Sequence, residues 1–174
     1  MLQHLLTQFS PTLIISTLLL ATFMAQQHAN PLVFLPAGIQ LLAGFVYGLR
    51  ALPGCIIGIA LGSALVAHHP IQIDTLTEQA AYATLSTLSL IGLIHAVCHT
   101  SHINEELSGL GYRHILIVVV LQALADALLR IALIPAPEHS TGLQLLTQAT
   151  GNLLGSMAVV LSLFVLATLH RKLA

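Results

Sequence analysis

The sequence predicts an all-α integral membrane protein, a bundle of six transmembrane helices built as one domain over residues 1–174. Three observations carry this. The chain is 56% apolar. Only 5 Lys+Arg and 6 Asp+Glu carry fixed charge, which is 6% of the residues against about 25% in soluble domains. The apolar residues also gather into six runs, each close to the about 20 residues that cross a hydrocarbon core. This composition excludes a water-soluble enzyme, which needs a charged surface, and a disordered chain, which needs low hydrophobicity and high charge. A net charge of −1 leaves no basic stripe for nucleic acid. Cys55 and Cys98 sit inside apolar runs and argue no disulfide framework.

The runs are 8–26, 33–49, 52–67, 79–98, 113–134 and 143–169. The first has no basic segment ahead of it and is therefore a span rather than a signal peptide; it closes at His28-Ala29-Asn30-Pro31. The second contains Pro36-Ala37-Gly38, and a proline there either interrupts the helix or starts it. From Pro36 to Gly48 only about 20 Å of helix remains. After Leu49-Arg50-Ala51, Pro53 opens the third run at a first-turn position, where proline is tolerated. Gly54, Gly58 and Gly62 then recur every fourth residue on one face, the spacing that lets backbones approach closely in lipid. Gly44 with Gly48, and Gly151 with Gly155, repeat the device. Tight helix packing is the plain reading of these faces, and dimerisation through the third helix is the alternative. The stretch from His68 to Glu78 leads to the fourth run, the polar loop from His99 to Gly111 to the fifth, and Pro135-Ala136-Pro137-Glu138 to the sixth.

Short loops set the orientation. With the N-terminus inside, the inner loops hold Arg50, Arg113, Arg171 and Lys172, while the outer ones hold Asp74, Glu78 and Glu138 and no basic residue. The positive-inside rule then places both termini in the cytoplasm.

Phe34-Leu35-Pro36-Ala37-Gly38-Ile39-Gln40, then Gly48-Leu49-Arg50-Ala51-Leu52-Pro53-Gly54 with Gly58 and Gly62, resemble the membrane-associated sensor domain of type 1. Thr150-Gly151-Asn152-Leu153-Leu154-Gly155 occupies the place of that family's last glycine motif, with Asn152 where the family has an acid. The resemblance covers about 34–66 well and 143–169 loosely. It implies a bacterial inner-membrane sensor of the kind attached to histidine kinases and to cyclic-di-GMP enzymes. The chain departs from that family in having Leu35 where an aromatic residue often precedes the proline, and in having fewer spans. It ends at Ala174, directly after its last run, so signalling output is expected from a separate protein partner. Six spans, the chain length and Phe45-Val46-Tyr47-Gly48-Leu49-Arg50 also resemble the substrate-binding subunits of energy-coupling-factor vitamin transporters.

Asp126 and Arg130 are the fixed charges well inside a run. An isolated charge there costs about 2.5–3.5 kcal/mol or more. Their i, i+4 spacing puts both on one face, where they could pair or line a polar cavity. Gln40, Thr87, Asp126 and Asn152 all fall about 12–14 Å from the outer ends of their helices. Gln40, Asp126, Arg130 and Asn152 are therefore the candidate ligand-binding layer, suited to a small polar or anionic ligand. Gly54, Gly58, Gly62, Gly151 and Gly155 are the candidate packing positions. Ten histidines stand against five Lys+Arg. His95, His99, His102 and His114 cluster around one inner loop, but no motif fixes a ligand spacing, so neither metal nor haem is expected. His68-His69 read as interfacial and Glu105-Glu106 as solvated loop charges.

No nucleophile elbow, phosphate loop, H-E-x-x-H or C-x-x-C occurs, so no catalysis is expected. The sequence thus reads as a sensor-like membrane module acting through a partner. A vitamin-transporter substrate-binding subunit and a structural accessory subunit of a larger membrane complex are the alternatives.

Overall fold

A computed structural model describes residues 2–26, 33–66, 73–102, 111–133 and 141–173. The described chain is helical almost throughout: α1 (Leu2–Gln26), α2 (Leu35–Tyr47), a 3-10 turn (Gly48–Ala51), α3 (Leu52–Val66), α4 (Ile73–Thr100), α5 (Tyr112–Leu133) and α6 (Thr141–Leu173). Four stretches are long and apolar enough to cross a membrane: 35–66, 73–100, 112–133 and 142–166. The first of these joins α2, the 3-10 turn and α3 into one apolar stretch of 32 residues, and Ser10–Gln26 is a shorter apolar helix. The six runs become four because α2, the turn Gly48–Ala51 and α3 form one apolar stretch, and because the apolar part of α1 is the shorter Ser10–Gln26.

Polarity is distributed for lipid. Within one turn of α5, Leu128 is 59% exposed and Asp126 only 2%. Leu13, Leu18, Leu65, Leu124 and Phe164 face outward, while Gln40, Ser86, Thr87, Gln122 and Asn152 are buried. Hydroxyls elsewhere fold onto their own helices, as Thr84 does on the Ala80 carbonyl and Ser162 on that of Ala158, both at 2.7 Å. Such bonds satisfy donors that lipid cannot.

Pro36 starts α2 rather than interrupting it, lying in the first turn behind Phe34. That end has to satisfy its free N–H groups without water. The Phe34 N–H donates to the Gly151 carbonyl of α6 at 3.0 Å, the Leu35 N–H to Gln26 Oε1 of α1 at 3.3 Å, and Pro36 has none to satisfy. The other end turns at Gly48, whose φ of 54° lies in the left-handed region that glycine enters freely.

Gly54, Gly58 and Gly62 lie against Ile15, Leu19 and Phe23 of α1 in that order, so α1 and α3 run in the same direction. Each apolar side chain fills the notch left by one glycine, and a β-carbon on Gly58 would sit 2.7 Å from that of Leu19. Gly155 lies against the Phe34 carbonyl, and Gly38 against Val159. These two glycines thus let α6 approach the start of α2 closely enough for the Phe34–Gly151 backbone hydrogen bond.

Some boundaries differ from the sequence reading. Helix α4 begins at Ile73 rather than 79, because Asp74 and Glu78 lie exposed on its first turns. An acid in a first turn favours the helix it opens, whereas the sequence reading took both as loop charges. Helix α6 extends to Leu173, past 169, and α1 reaches back to Leu2. His28, His68, His69, Glu105, Glu106 and Glu138 lie outside the described residues.

Candidate functional site

Three helices contribute polar side chains to one buried cluster. Gln40 stands five residues after the start of α2, so the proline-defined entry fixes its position. Its Nε2 donates to Ser86 Oγ at 2.8 Å and to Thr87 Oγ1 at 3.1 Å, both on α4. Ser86 Oγ donates in turn to Asp126 Oδ1 of α5 at 2.5 Å. Gln122, one turn before Asp126, donates from Nε2 to the same Oδ1 at 2.7 Å and to the Ser86 carbonyl at 3.1 Å. The cluster therefore ties α2 to α4 and α4 to α5 around one carboxylate. Donors converge on that carboxylate, and hydrogen bonds to a charged acceptor are among the stronger ones.

Asp126 and Arg130 do not form the ion pair their spacing allows; among the described residues no carboxylate lies within salt-bridge distance of Arg130. Asp126 is turned toward Ser86 and Gln122. The Arg130 guanidinium lies over the Tyr82 ring at 6.0 Å from its centroid, a cation–π arrangement. Arg130 is half-buried and three residues from the end of α5, close enough to that end for its long side chain to reach the interface.

Of the four residues expected in a polar layer, Gln40 and Asp126 are brought together through Ser86. Arg130 stands one turn further along α5, beside Tyr82. Asn152 is buried on α6 and makes none of the cluster's hydrogen bonds. Sequence reasoning missed Ser86, Gln122 and Tyr82. The Gln122–Asp126 spacing was a usable signal, because Gln and Asp four residues apart on a helix pair through hydrogen bonds. Ser86 had no such signal, since its importance comes from two other helices.

The histidines flanking the connection between α4 and α5 do not form a ligand set. His95 is exposed and its Nδ1 lies 3.1 Å from the Ile91 carbonyl of its own helix. His114 Nδ1 accepts the Gly111 N–H at 3.1 Å, holding the entry to α5. Among the described residues, no group of three His, Cys, Asp or Glu side chains is placed to hold a metal.

A separate cleft of about 790 Å³ opens between α2, α5 and α6, beyond Gln40 toward the Tyr47 end of α2. Its walls include Leu41, Phe45, Ile115, Val160 and Phe164, and only Tyr112 brings a polar side-chain atom. Its chemistry is apolar, and it is distinct from the Asp126 cluster. Compared with protein-family models, with curated proteins and with solved structures, the chain matches none of them.

Proposed function

We propose that the chain is a multi-pass, sensor-like membrane module without catalysis of its own, whose state is read by a separate protein. The observation that carries this reading is the hydrogen-bonded cluster of Gln40, Ser86, Thr87, Gln122 and Asp126, in which a nearly unexposed carboxylate joins three helices. A ligand engaging such a junction changes how α2, α4 and α5 sit together, and small shifts of packed helices are a common way to pass a signal. Intramembrane ionisable groups are expensive to bury and usually mark functional positions.

In this reading each of the six helices crosses the bilayer and both termini lie in the cytoplasm of a bacterial inner membrane. Two features support that topology. The basic residues Arg50, Arg113, Arg171 and Lys172 belong to the connections and terminus that share one side when the six helices alternate, and the positive-inside rule assigns that side to the cytoplasm. The parallel course of α1 and α3 requires α2 to return between them. The resemblance of 34–66 to the membrane-associated sensor domain of type 1 points the same way.

Purification in mild detergent with identification of co-eluting proteins tests the proposal. A histidine kinase or a cyclic-di-GMP enzyme is the expected companion. A pair of ATPases would instead assign a transport subunit, and the subunits of a large assembly an accessory role.

A further inference from the structure

The amide hydrogens of Gln40 and Gln122 and the hydroxyl hydrogen of Ser86 are already committed. The two N–H groups of the Gln40 amide go to Ser86 and Thr87. Those of Gln122 go to Asp126 and to the Ser86 carbonyl, and the Ser86 hydroxyl goes to Asp126. The Gln122 amide cannot be turned over, because its oxygen would then face the Asp126 carboxylate and the Ser86 carbonyl. Gln122 Oε1 is consequently left buried with no partner, on a residue only 6% exposed. Both hydrogen bonds to Asp126 fall on Oδ1, and no cation lies within ion-pair distance of it among the described residues. What the cluster still offers is oxygen acceptors around one carboxyl group, which a bound cation would hold in its ionised form.

Buried acceptors without partners and buried charges without counterions are both costly, and buried charges in proteins are paired or hold metals. Arg130 does not fill this need, since it lies over Tyr82 near the helix end. We propose that the cluster holds a small monovalent cation, an alkali-metal ion or ammonium, between Asp126 and Gln122 Oε1. Carboxylate and carbonyl oxygens are the ligands that hard cations take. A single positive charge neutralises one carboxylate, whereas a divalent ion would leave excess charge in the membrane. This names the ligand class of the polar layer in the sensor reading, and it replaces the anionic ligand that Arg130 had suggested.

The test is the melting temperature of the purified full chain in detergent at fixed pH, chloride and ionic strength. Choline chloride is exchanged stepwise for sodium, potassium or ammonium chloride. A saturable rise with at least one of the three small cations is expected, with none in choline. The rise should disappear in Asp126→Asn and shrink in Gln122→Leu. Sodium NMR of the wild-type chain gives a readout that needs no variant, with broadening on addition of protein expected where sodium stabilises. Equal melting in all four salts overturns the proposal. So does a cation effect that survives intact in a folded Asp126→Asn, or stabilisation by acidification alone. A cation-insensitive chain that still co-purifies with a kinase or cyclase removes the ion and keeps the sensor reading. A cation-stabilised chain with no signalling companion does the reverse.

Discussion

The α1–α3 contact and the α2–α4–α5 junction solve the same problem with opposite chemistry. Between α1 and α3, Ile15, Leu19 and Phe23 press into Gly54, Gly58 and Gly62, and the contact is shape alone. Between α2, α4 and α5, Leu90 also presses on Gly44 and packs with Leu41, Val118 and Val119, but here Gln40, Ser86, Gln122 and Asp126 add hydrogen bonds between the helices. Lipid tails supply no hydrophobic drive between helices, so association rests on close packing or on polar bonds. The two contacts differ in the changes they tolerate. A shape contact has no spare volume, whereas a polar contact can be rearranged by whatever adds or removes a hydrogen-bonding partner. A seam of shape alone thus stands beside a junction that also carries hydrogen bonds.

The sharpest way to break the comparison is to fill the seam. Gly58→Leu should destabilise by about 3 kcal/mol or more, the upper end of overpacking, because the new side chain meets Leu19 and the Ser16 backbone. Loss of the monodisperse peak in size-exclusion chromatography would report it. Leu65→Ile, on the exposed face of the same helix, should leave that peak unchanged. Equal behaviour of the two would mean the seam is not packed.

A smaller effect is expected at the junction. Asp126→Asn keeps the shape and removes the charge that strengthens two hydrogen bonds, which should cost about 1–3 kcal/mol. Thermal unfolding in detergent measures it. Next comes Gln40→Leu, which removes the α2–α4 bonds and should cost about 1 kcal/mol, in the range of interhelical polar bonds in membranes. A Gln40→Leu chain as unstable as Gly58→Leu would erase the contrast between the two regions. The smallest effect belongs to His95→Ala. That ring is exposed and its hydrogen-bond contact is with its own helix, so stability should move by no more than about 0.5 kcal/mol.

The two regions also differ in how far the sequence revealed them. Glycines at 54, 58 and 62 announce a close-packed face because small residues every fourth position leave a groove on any helix that bears them. The partner that fills it was not legible, since Ile15, Leu19 and Phe23 look like any apolar helix. At the junction, Gln40 and Asp126 were legible because polar residues are rare in lipid and must face protein. Ser86 was not, since a serine that bonds its own helix and one that joins three helices are the same letter. The Asp126–Arg130 spacing suggested a pair, yet helical proximity does not choose between partners, and Gln122 with Ser86 claim the carboxylate. Pro36 left two options, and the choice of a helix start rests on Gly151 and Gln26, residues distant in sequence that accept the free N–H groups.

Asp126 of α5 is joined to α4 through the Ser86 hydroxyl. A double-mutant cycle on Ser86→Ala and Asp126→Ala, read by thermal unfolding of the purified chain, tests it most directly. The predicted coupling is about 1 kcal/mol or more, because each single change already breaks the bond the other would break. Additivity of the two changes to within about 0.3–0.5 kcal/mol, the level expected of residues that do not touch, would contradict the account.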